Sequence, residues 1–531
     1  MDKGKSNIYL VLLTLTATLG GLLFGYDTAV ISGAVASLKQ FFIAPLLNDP
    51  EAAAKVIFQF KVIGVLSFLF IYFLIASFLK KLFVDPKKTV LYSVIALLFI
   101  GSIIYYLFLQ YGNTLNEGLI NVIHGFNISS ALIGCIIGGS IGGYISQGIG
   151  RKNGLILAAS LFIISAIGAA LPDKLNFLGS EPICMFMVYR IIGGIGVGLA
   201  SMLSPIYIAE ISPAEIRGRL VSFNQFAIIF GMLIVYFVNY FIARGQAQSW
   251  IDTIGWRWMF ASGTIPAFFF FIMLFFVPET PRYLMYKNNE IKAHEVLNKV
   301  VGNEKANVVV AEIRNSLIEK SAPWLSFGGL VIVIGVFLSV FQQFVGINVV
   351  LYYAPEIFKT LGNGTDSALL QTILIGIINM SFTVIAIVSV DRFGRRKLQI
   401  IGALGMAVSM FGLGMIFYLQ KMGFSALICM LVYVASFAMS WGPVTWVLLS
   451  EIFPNKIRGH AMSVATFAMW LACAILTISF PFLNKAFGAS GTFGLYSAIC
   501  IIGFFYMLKK LPETKGKSLE QIEIELVKGK V

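Results

Sequence analysis

Glu210-Ile211-Ser212-Pro213-Ala214-Glu215-Ile216-Arg217-Gly218 returns about 240 residues later as Glu451-Ile452-Phe453-Pro454-Asn455-Lys456-Ile457-Arg458-Gly459. Two flanking motifs repeat in the same order and at similar spacing. Gly150-Arg151-Lys152 pairs with Gly394-Arg395-Arg396, and Pro278-Glu279-Thr280 with Pro512-Glu513-Thr514. Three motifs in one register indicate two homologous halves. Each motif closes a long apolar block, so the blocks come next.

Hydrophobic residues make up 58% of the chain and charged residues 12%. A soluble domain carries roughly twice that share of charge. The apolar residues fall in runs of about 20, the length of helix that crosses a bilayer. Runs at 9–30, 128–146, 154–171, 183–209, 220–243 and 258–277 fill the first half. Runs at 330–353, 370–390, 398–418, 426–449, 463–480 and 493–508 fill the second. Two more, at 56–79 and 90–109, stand between the first and second runs. The expected fold is an all-α polytopic membrane protein of two six-helix halves. A helical hairpin inserted after the first helix brings the total to 14 spans. The divisions read as 1–277 for the N-terminal half, 278–323 for a linker, 324–510 for the C-terminal half and 511–531 for a tail.

The net charge of +14 is dispersed in short tags between the runs. That is a topology signal and excludes the single basic patch of a nucleic-acid binder. With both termini cytoplasmic, most Lys and Arg fall inside, including Lys80, Lys81, Lys87 and Lys88 between the hairpin runs. Met1 to Ser6 is short and basic and lacks the marks of a cleavable signal. The linker places Ile291, Val296, Val300, Ile313 and Leu317 as apolar positions of short amphipathic helices, with His294 as a solvated surface residue. Cys135, Cys184, Cys429, Cys473 and Cys500 show no disulfide or metal-ligand spacing and read as small hydrophobes. No nucleophile and base set, metal cluster or cofactor loop is visible, so an enzyme is not expected.

Polar residues inside the runs carry the chemistry. Asp27, Lys61 and Arg190 are the clear ionisable ones. Lys61 snorkels towards one end and takes no role. The repeat places Val434 opposite Arg190, so that charge has no twin, and pairing with Asp27 is expected. Such a pair is either a proton switch or a static structural bond. Glycines at Gly134, Gly138 and Gly142, and at Gly194 and Gly198, recur every fourth residue and mark close helix packing. Gln225, Gln342, Gln343, Asn348 and Asn379 are amides in runs; Phe24, Tyr352, Trp446 and Trp470 are aromatics there. Amides that donate and accept, beside flat apolar rings, suit a sugar. Taken singly, each reads better as helix packing; the sugar reading comes from the cluster as a whole. On a straight helix Gln343 and Asn348 point about 140° apart. Gly346 between them is placed to loosen the helix and bring both to one ligand. At the helix ends, Glu210, Arg217, Glu451, Arg458, Arg151, Asp391 and Arg395 form a candidate cytoplasmic gate of ion pairs between the halves.

Further motifs complete a recognisable set: Asp391-Arg392-Phe393-Gly394-Arg395-Arg396, Pro278-Glu279-Thr280-Pro281-Arg282, Pro512-Glu513-Thr514-Lys515-Gly516, and Gln342-Gln343-Phe344-Val345-Gly346-Ile347-Asn348 with Tyr352-Tyr353. The chain resembles the sugar porters of the major facilitator superfamily, over nearly its whole length except about 45–126. The resemblance implies import of a monosaccharide, D-xylose or a related pentose or hexose, by proton symport and alternating access. An uncoupled sugar carrier and a non-transporting sugar sensor are the rival readings. It implies Asp27 and Arg190 as proton-coupling residues. It implies Gln225, Gln342, Gln343, Asn348 and Trp446 as sugar contacts, with Tyr352, Trp470, Phe24, Asn379 and Gly442 lining the same cavity. No cofactor is implied, and a monomer in the bacterial inner membrane is expected. The chain departs from the pattern at Gln147 and Gly148, where the first-half motif usually carries an acid or amide and an Arg. Met232 and Met469 stand where a related porter has glutamines, and are expected to set sugar preference.

Overall fold

The computed structural model describes residues 3–82, 86–110, 114–176, 178–213, 216–318, 329–360, 364–420, 424–453, 458–511 and 513–515. Every regular element among them is helical. The first half holds α1 (Lys3–Ala29), a short α2 (Val35–Leu38), the hairpin α3 (Pro50–Leu82) and α4 (Pro86–Ile104), α5 (Glu117–Gly148), α6 (Arg151–Ala170), α7 (Pro182–Ile211) and α8 (Arg217–Ala243). Its last span is segmented into α9 (Gln248–Trp250), α10 (Trp256–Ser262) and α11 (Thr264–Met273). The connection contains α12 (Pro281–Tyr286), α13 (Glu290–Val301) and α14 (Asn303–Ile318). The second half follows as α15 (Gly329–Phe344), α16 (Ile347–Thr360), α17 (Thr365–Phe393), α18 (Arg395–Tyr418), α19 (Phe424–Met439), α20 (Trp441–Ile452) and α21 (Arg458–Lys510).

Among the described residues, 13 helical stretches are long and apolar enough to cross a membrane. The last of them, Val464–Lys510, has 47 residues. At 1.5 Å per residue it would reach about 70 Å, more than twice a hydrocarbon core of about 30 Å. Gly488, at φ +66°, breaks it into two spans. The total of 14 expected from the sequence therefore holds. Observed helices run past the apolar blocks. The block at 128–146 becomes Glu117–Gly148, because its added turns are packed: Leu119, Val122, Ile123 and Phe126 are buried, and the Asn116 side chain caps the start by accepting from the Leu119 amide at 2.8 Å.

The hairpin packs on the first half. Phe60 and Phe108 lie 5.1 Å apart between ring centres, and each meets Phe126 of α5 edge-on, at 5.3 and 5.6 Å. Gln59 accepts from the Glu181 amide at 2.8 Å, tying α3 to the start of α7. α5 and α7 approach closely through their glycines. A Cβ on Gly134 would lie 2.0 Å from the Ile191 carbonyl oxygen, and one on Gly194 1.8 Å from that of Ala131. The glycines are there because no side chain fits. The linker helices share a small core of Met285, Ala293, Leu297, Ala306 and Val310. Val296 and Val300 are buried as expected, Ile313 packs at the edge, and Ile291 is exposed. Ile291 lies about 160° round α13 from the buried Ala293, on the face turned away from that core, and so does not join it. The side chain of Leu317 lies outside the described set. His294 is half-buried, and its ring nitrogen bonds the Asn307 side chain at 2.9 Å.

The halves meet through α5 with α21 and α8 with α17. At the face away from the repeated motifs they are latched together. Thr365 donates to the Gln248 side chain at 2.9 Å, and Lys485 pairs with Glu117. Deeper in, the Tyr236 hydroxyl donates to the Leu351 carbonyl at 3.3 Å.

At the motif face the repeat has one physical form, built twice. Glu279 accepts from the Arg151 and Lys152 amides, the unsatisfied donors at the start of α6, at 3.2 and 3.1 Å. Glu513 does the same for Arg395 and Arg396 at the start of α18, at 3.0 and 3.2 Å. Burial pushes the Glu279 carboxyl above its usual range, opposed by the amides of Thr280, Lys152 and Arg151. Gly150 and Gly394 enter these helices at φ +96° and +88° with ψ near extended, a region open only to glycine. A Cβ would also sit 2.2 Å from Glu279 and 2.7 Å from Glu513. Gly150→Ala and Gly394→Ala should each destabilise the protein by roughly 1–3 kcal/mol. Thermal unfolding in detergent measures this; an unchanged midpoint in both variants would refute the corner geometry.

Candidate functional site

Arg190 lies inside α7 with its side chain 1% exposed. A guanidinium cannot shed its proton to suit an apolar site, so it must be paired. One Nη donates to Asp27 Oδ1 at 2.8 Å and the other to the Asp27 carbonyl at 3.1 Å. The ring of Phe260 lies 5.3 Å from the guanidinium carbon. The pairing expected from the sequence is therefore present. Val434, the repeat equivalent, is buried among apolar neighbours.

The second half supplies the polar cluster through two broken helices. α15 stops at Phe344 and α16 starts at Ile347, with Gly346 at φ +98° between them. The Tyr433 hydroxyl donates to the Val345 carbonyl freed by the break, at 2.8 Å. The break turns Asn348 back so that its amide donates to Gln343, which a straight helix would forbid. The loosening expected at Gly346 is observed. The second break falls between α19 and α20 at Ser440. Gln342 bridges the two breaks, donating to the carbonyls of Trp441 and Gly442 at 2.8 and 3.1 Å. Its N–H₂ is thus committed to the backbone, and its oxygen is the part left for a ligand.

Phe24 of α1 meets Trp470 of α21 at 5.4 Å between ring centres, across the two halves. The indole N–H of Trp470 and the hydroxyl of Tyr353 are buried without a hydrogen-bond partner. Both are donors suited to hydroxyl oxygens. Tyr352 is buried within electrostatic reach of Arg190, Cys135 and Cys473. The amide cluster and the Asp27–Arg190 pair are therefore neighbours. Met232 and Met469 are buried, and the backbone of Met232 abuts Gly25 of α1. Asn379 is buried on α17; Gln225 on α8 and Trp446 on α20 are half-buried and outside the cluster's hydrogen bonds.

Three contacts escape a reading of the sequence. Cys473 is more than a small hydrophobe: its sulfur takes the Asn348 amide at 3.0 Å. It falls three residues after Trp470 on α21, a spacing that carries the signal. Glu279 and Glu513, the caps described above, stand at matching places in the repeated Pro-Glu-Thr motif. The gate needs correction. Arg151 pairs with Glu210 at 2.9 Å and Arg395 with Glu451 at 2.9 Å, each within one half. The partners close adjacent helices of the same half, within reach of each other without crossing the interface. Thr514 adds a bond to Glu451 at 2.6 Å. The side chains of Arg217, Asp391 and Arg458 lie outside the described set.

The sequence model of the family described as "Sugar (and other) transporter" matches residues 13–526. The chain is 49% identical to the D-xylose-proton symporter of Escherichia coli K12, covering 98% of this chain and 97% of that one. It is 34% identical to the glucose facilitated diffusion protein of Zymomonas mobilis, with 98% of each covered. Among solved structures, the inward-open xylose transporter of Escherichia coli superposes with a TM-score of 0.77 at 48% identity, covering 97% of this chain and 99% of that one.

Removing one partner of a buried ion pair costs roughly 3–5 kcal/mol, because the other charge is stranded. Arg190→Leu should therefore lower the unfolding midpoint in detergent more than the double change Asp27→Asn with Arg190→Gln. Equal losses would show that the two charges do not support each other.

Proposed function

The chain belongs to the sugar transporter family, and from that premise we propose that it imports a monosaccharide together with a proton by alternating access. The observation that carries the reading is a membrane-buried ion pair, Asp27 with Arg190, set beside amides and rings suited to a sugar. D-xylose or a related pentose or hexose is the substrate class, taken from the relatives' own substrates. The Gln343, Gln342 and Asn348 amides and the Trp470 indole bind sugar hydroxyls. The rings of Phe24, Trp470, Tyr352 and Trp446 cover its apolar faces. Gln225 and Asn379 approach from α8 and α17, and Gly442 leaves room at the second helix break. Met232 and Met469 present thioethers to the sugar and tune which one is preferred.

Asp27 is the proton-binding residue and Arg190 its counter-ion. With Asp27 ionised, the pair holds α1 against α7. Protonation removes the attraction and frees Arg190, so the carrier turns over only in the states that transport requires. A potential of 100 mV supplies about 2.3 kcal/mol per charge, roughly a 50-fold accumulation. No cofactor is needed.

The face bearing the repeated motifs is the cytoplasmic one, with both termini on that side, in the inner membrane of a bacterium. The halves, 1–277 and 324–510, rock about the site, with 278–323 as their cytoplasmic connection. The latches at the opposite face match a carrier closed to the outside. The Arg151–Glu210 and Arg395–Glu451 corners stiffen each half so that it moves as a body. Arg217, Asp391 and Arg458, at the same helix ends, are the remaining candidates for ion pairs between the halves. The carrier works as a monomer.

Labelled xylose, glucose, galactose and arabinose, offered to energised vesicles with and without a protonophore, test the reading. One sugar should accumulate, and the protonophore should abolish accumulation. Asp27→Asn should keep counterflow exchange and lose uphill uptake. Retained accumulation in that variant removes Asp27 from coupling. Uptake that merely equilibrates would make this a facilitator, and binding without uptake a sensor. Met469→Gln should change the ranking of the four sugars; an unchanged ranking would end its part in selectivity.

A further inference from the structure

Asp27 borders a second space besides the sugar cluster. Leu23, Tyr26 and Asp27 stand at i, i+3 and i+4 on α1 and share one face of the helix, with Val30 in the turn just past its end. That face lines a crevice closed by Phe162 and Ala166 of α6, Phe260 of α10 and Gly263. The crevice is narrow, with room for about one water molecule. Phe24, the α1 residue that meets Trp470, lies about 100° round the helix from Leu23. No member of the sugar cluster lines the crevice.

The walls are apolar except at two points. Asp27 Oδ1 takes the Arg190 bond, while Oδ2 is buried with no partner. The side chain as a whole is 14% exposed, against 1% for Arg190. The second point is Tyr26. Ser262 donates its hydroxyl proton to the Met259 carbonyl at 2.6 Å, so Tyr26, at 2.7 Å from Ser262, is the donor between those two. The phenol oxygen is then free to accept. Two polar groups on one helical face, in a slot the width of a water, make a short polar track to the carboxylate.

We propose that the proton reaches Asp27 through this crevice between α1, α6 and α10, separately from the sugar. The inference rests on the symport reading. A hydronium in the crevice gives its proton to the Asp27 carboxylate, whose side chain is 14% exposed: one O–H bond forms on the carboxylate, one breaks in the hydronium, and water is left. The carboxylate becomes neutral and Arg190 loses its counter-charge. Proton and sugar then arrive by different routes at adjacent sites, and Phe260 belongs to both the crevice and the Arg190 contact. A sugar in the central cavity need not obstruct the proton.

The test fills the crevice from the side away from the sugar. Ala166→Gly, Ala166→Val and Ala166→Leu, reconstituted in liposomes, are compared with the unaltered protein. Two rates are read: the pH change that accompanies downhill entry of the transported sugar, and counterflow exchange, which needs no net proton movement. Proton-coupled entry should fall stepwise with side-chain size, roughly tenfold or more at Leu, with counterflow unchanged. Ala166→Leu moving protons at the unaltered rate overturns the crevice route and leaves the symport reading standing. An unaltered protein that moves no protons with sugar overturns both. If Ala166→Leu also loses counterflow, Gly263→Ala decides. Its Cβ would lie 3.6 Å from the Tyr26 ring and 3.7 Å from the Ala166 Cβ, which is ordinary contact. Slowed proton entry with intact counterflow there supports the route, and unchanged proton entry overturns it.

Discussion

Hydrocarbon leaves a charge or a backbone group no partner but the protein itself, and this constraint organises the molecule. Arg190 is the extreme case. Its guanidinium is held by a carboxylate, a carbonyl and a ring, each from a helix other than its own. α1, α7 and α10 are thereby joined around one charge. The same bond makes the protein responsive, since neutralising Asp27 removes the strongest reason for those helices to stay as they are.

The backbone obeys the rule at the helix breaks. Opening α15 from α16 at Gly346 frees carbonyls, and Tyr433 and Gln342 are spent on the backbone around the two breaks. In return the breaks aim side chains that a regular helix would scatter. Asn348 reaches Gln343 and Cys473 only because the chain turns there. Stability and function draw on the same amides. Gln342 is half structural: its N–H₂ is spent on the backbone, and its oxygen is the part left over.

The two halves share corners and differ in their centres. Glu279 and Glu513 cap equivalent helix starts in the same way, and Arg151 and Arg395 pair with equivalent glutamates. The buried charge pair belongs to the first half, and the broken helices with their amides to the second. The interface between the halves thus separates the buried ion pair from the amide cluster. The inserted hairpin rides on the first half, fixed by Phe60, Phe108 and Phe126 and by Gln59 at the start of α7.

Span count, the repeat and the Asp27–Arg190 pairing were all legible in the sequence, because hydropathy, periodicity and the cost of a lone buried charge act locally or leave one partner. Gly346 was legible for the same reason: a glycine between two amides that must converge has few other uses. What the sequence could not decide was direction. Whether Arg151 meets Glu210 or a residue across the interface depends on which helix ends are neighbours, and only packing answers that. Cys473 looked apolar until Asn348 was turned towards it. The crevice beside Asp27 exists only where three helices fail to close on one another. Composition set the elements, since each span had to satisfy its own backbone; the tertiary structure chose the partners, since polar groups in hydrocarbon bond whatever the packing brings within reach.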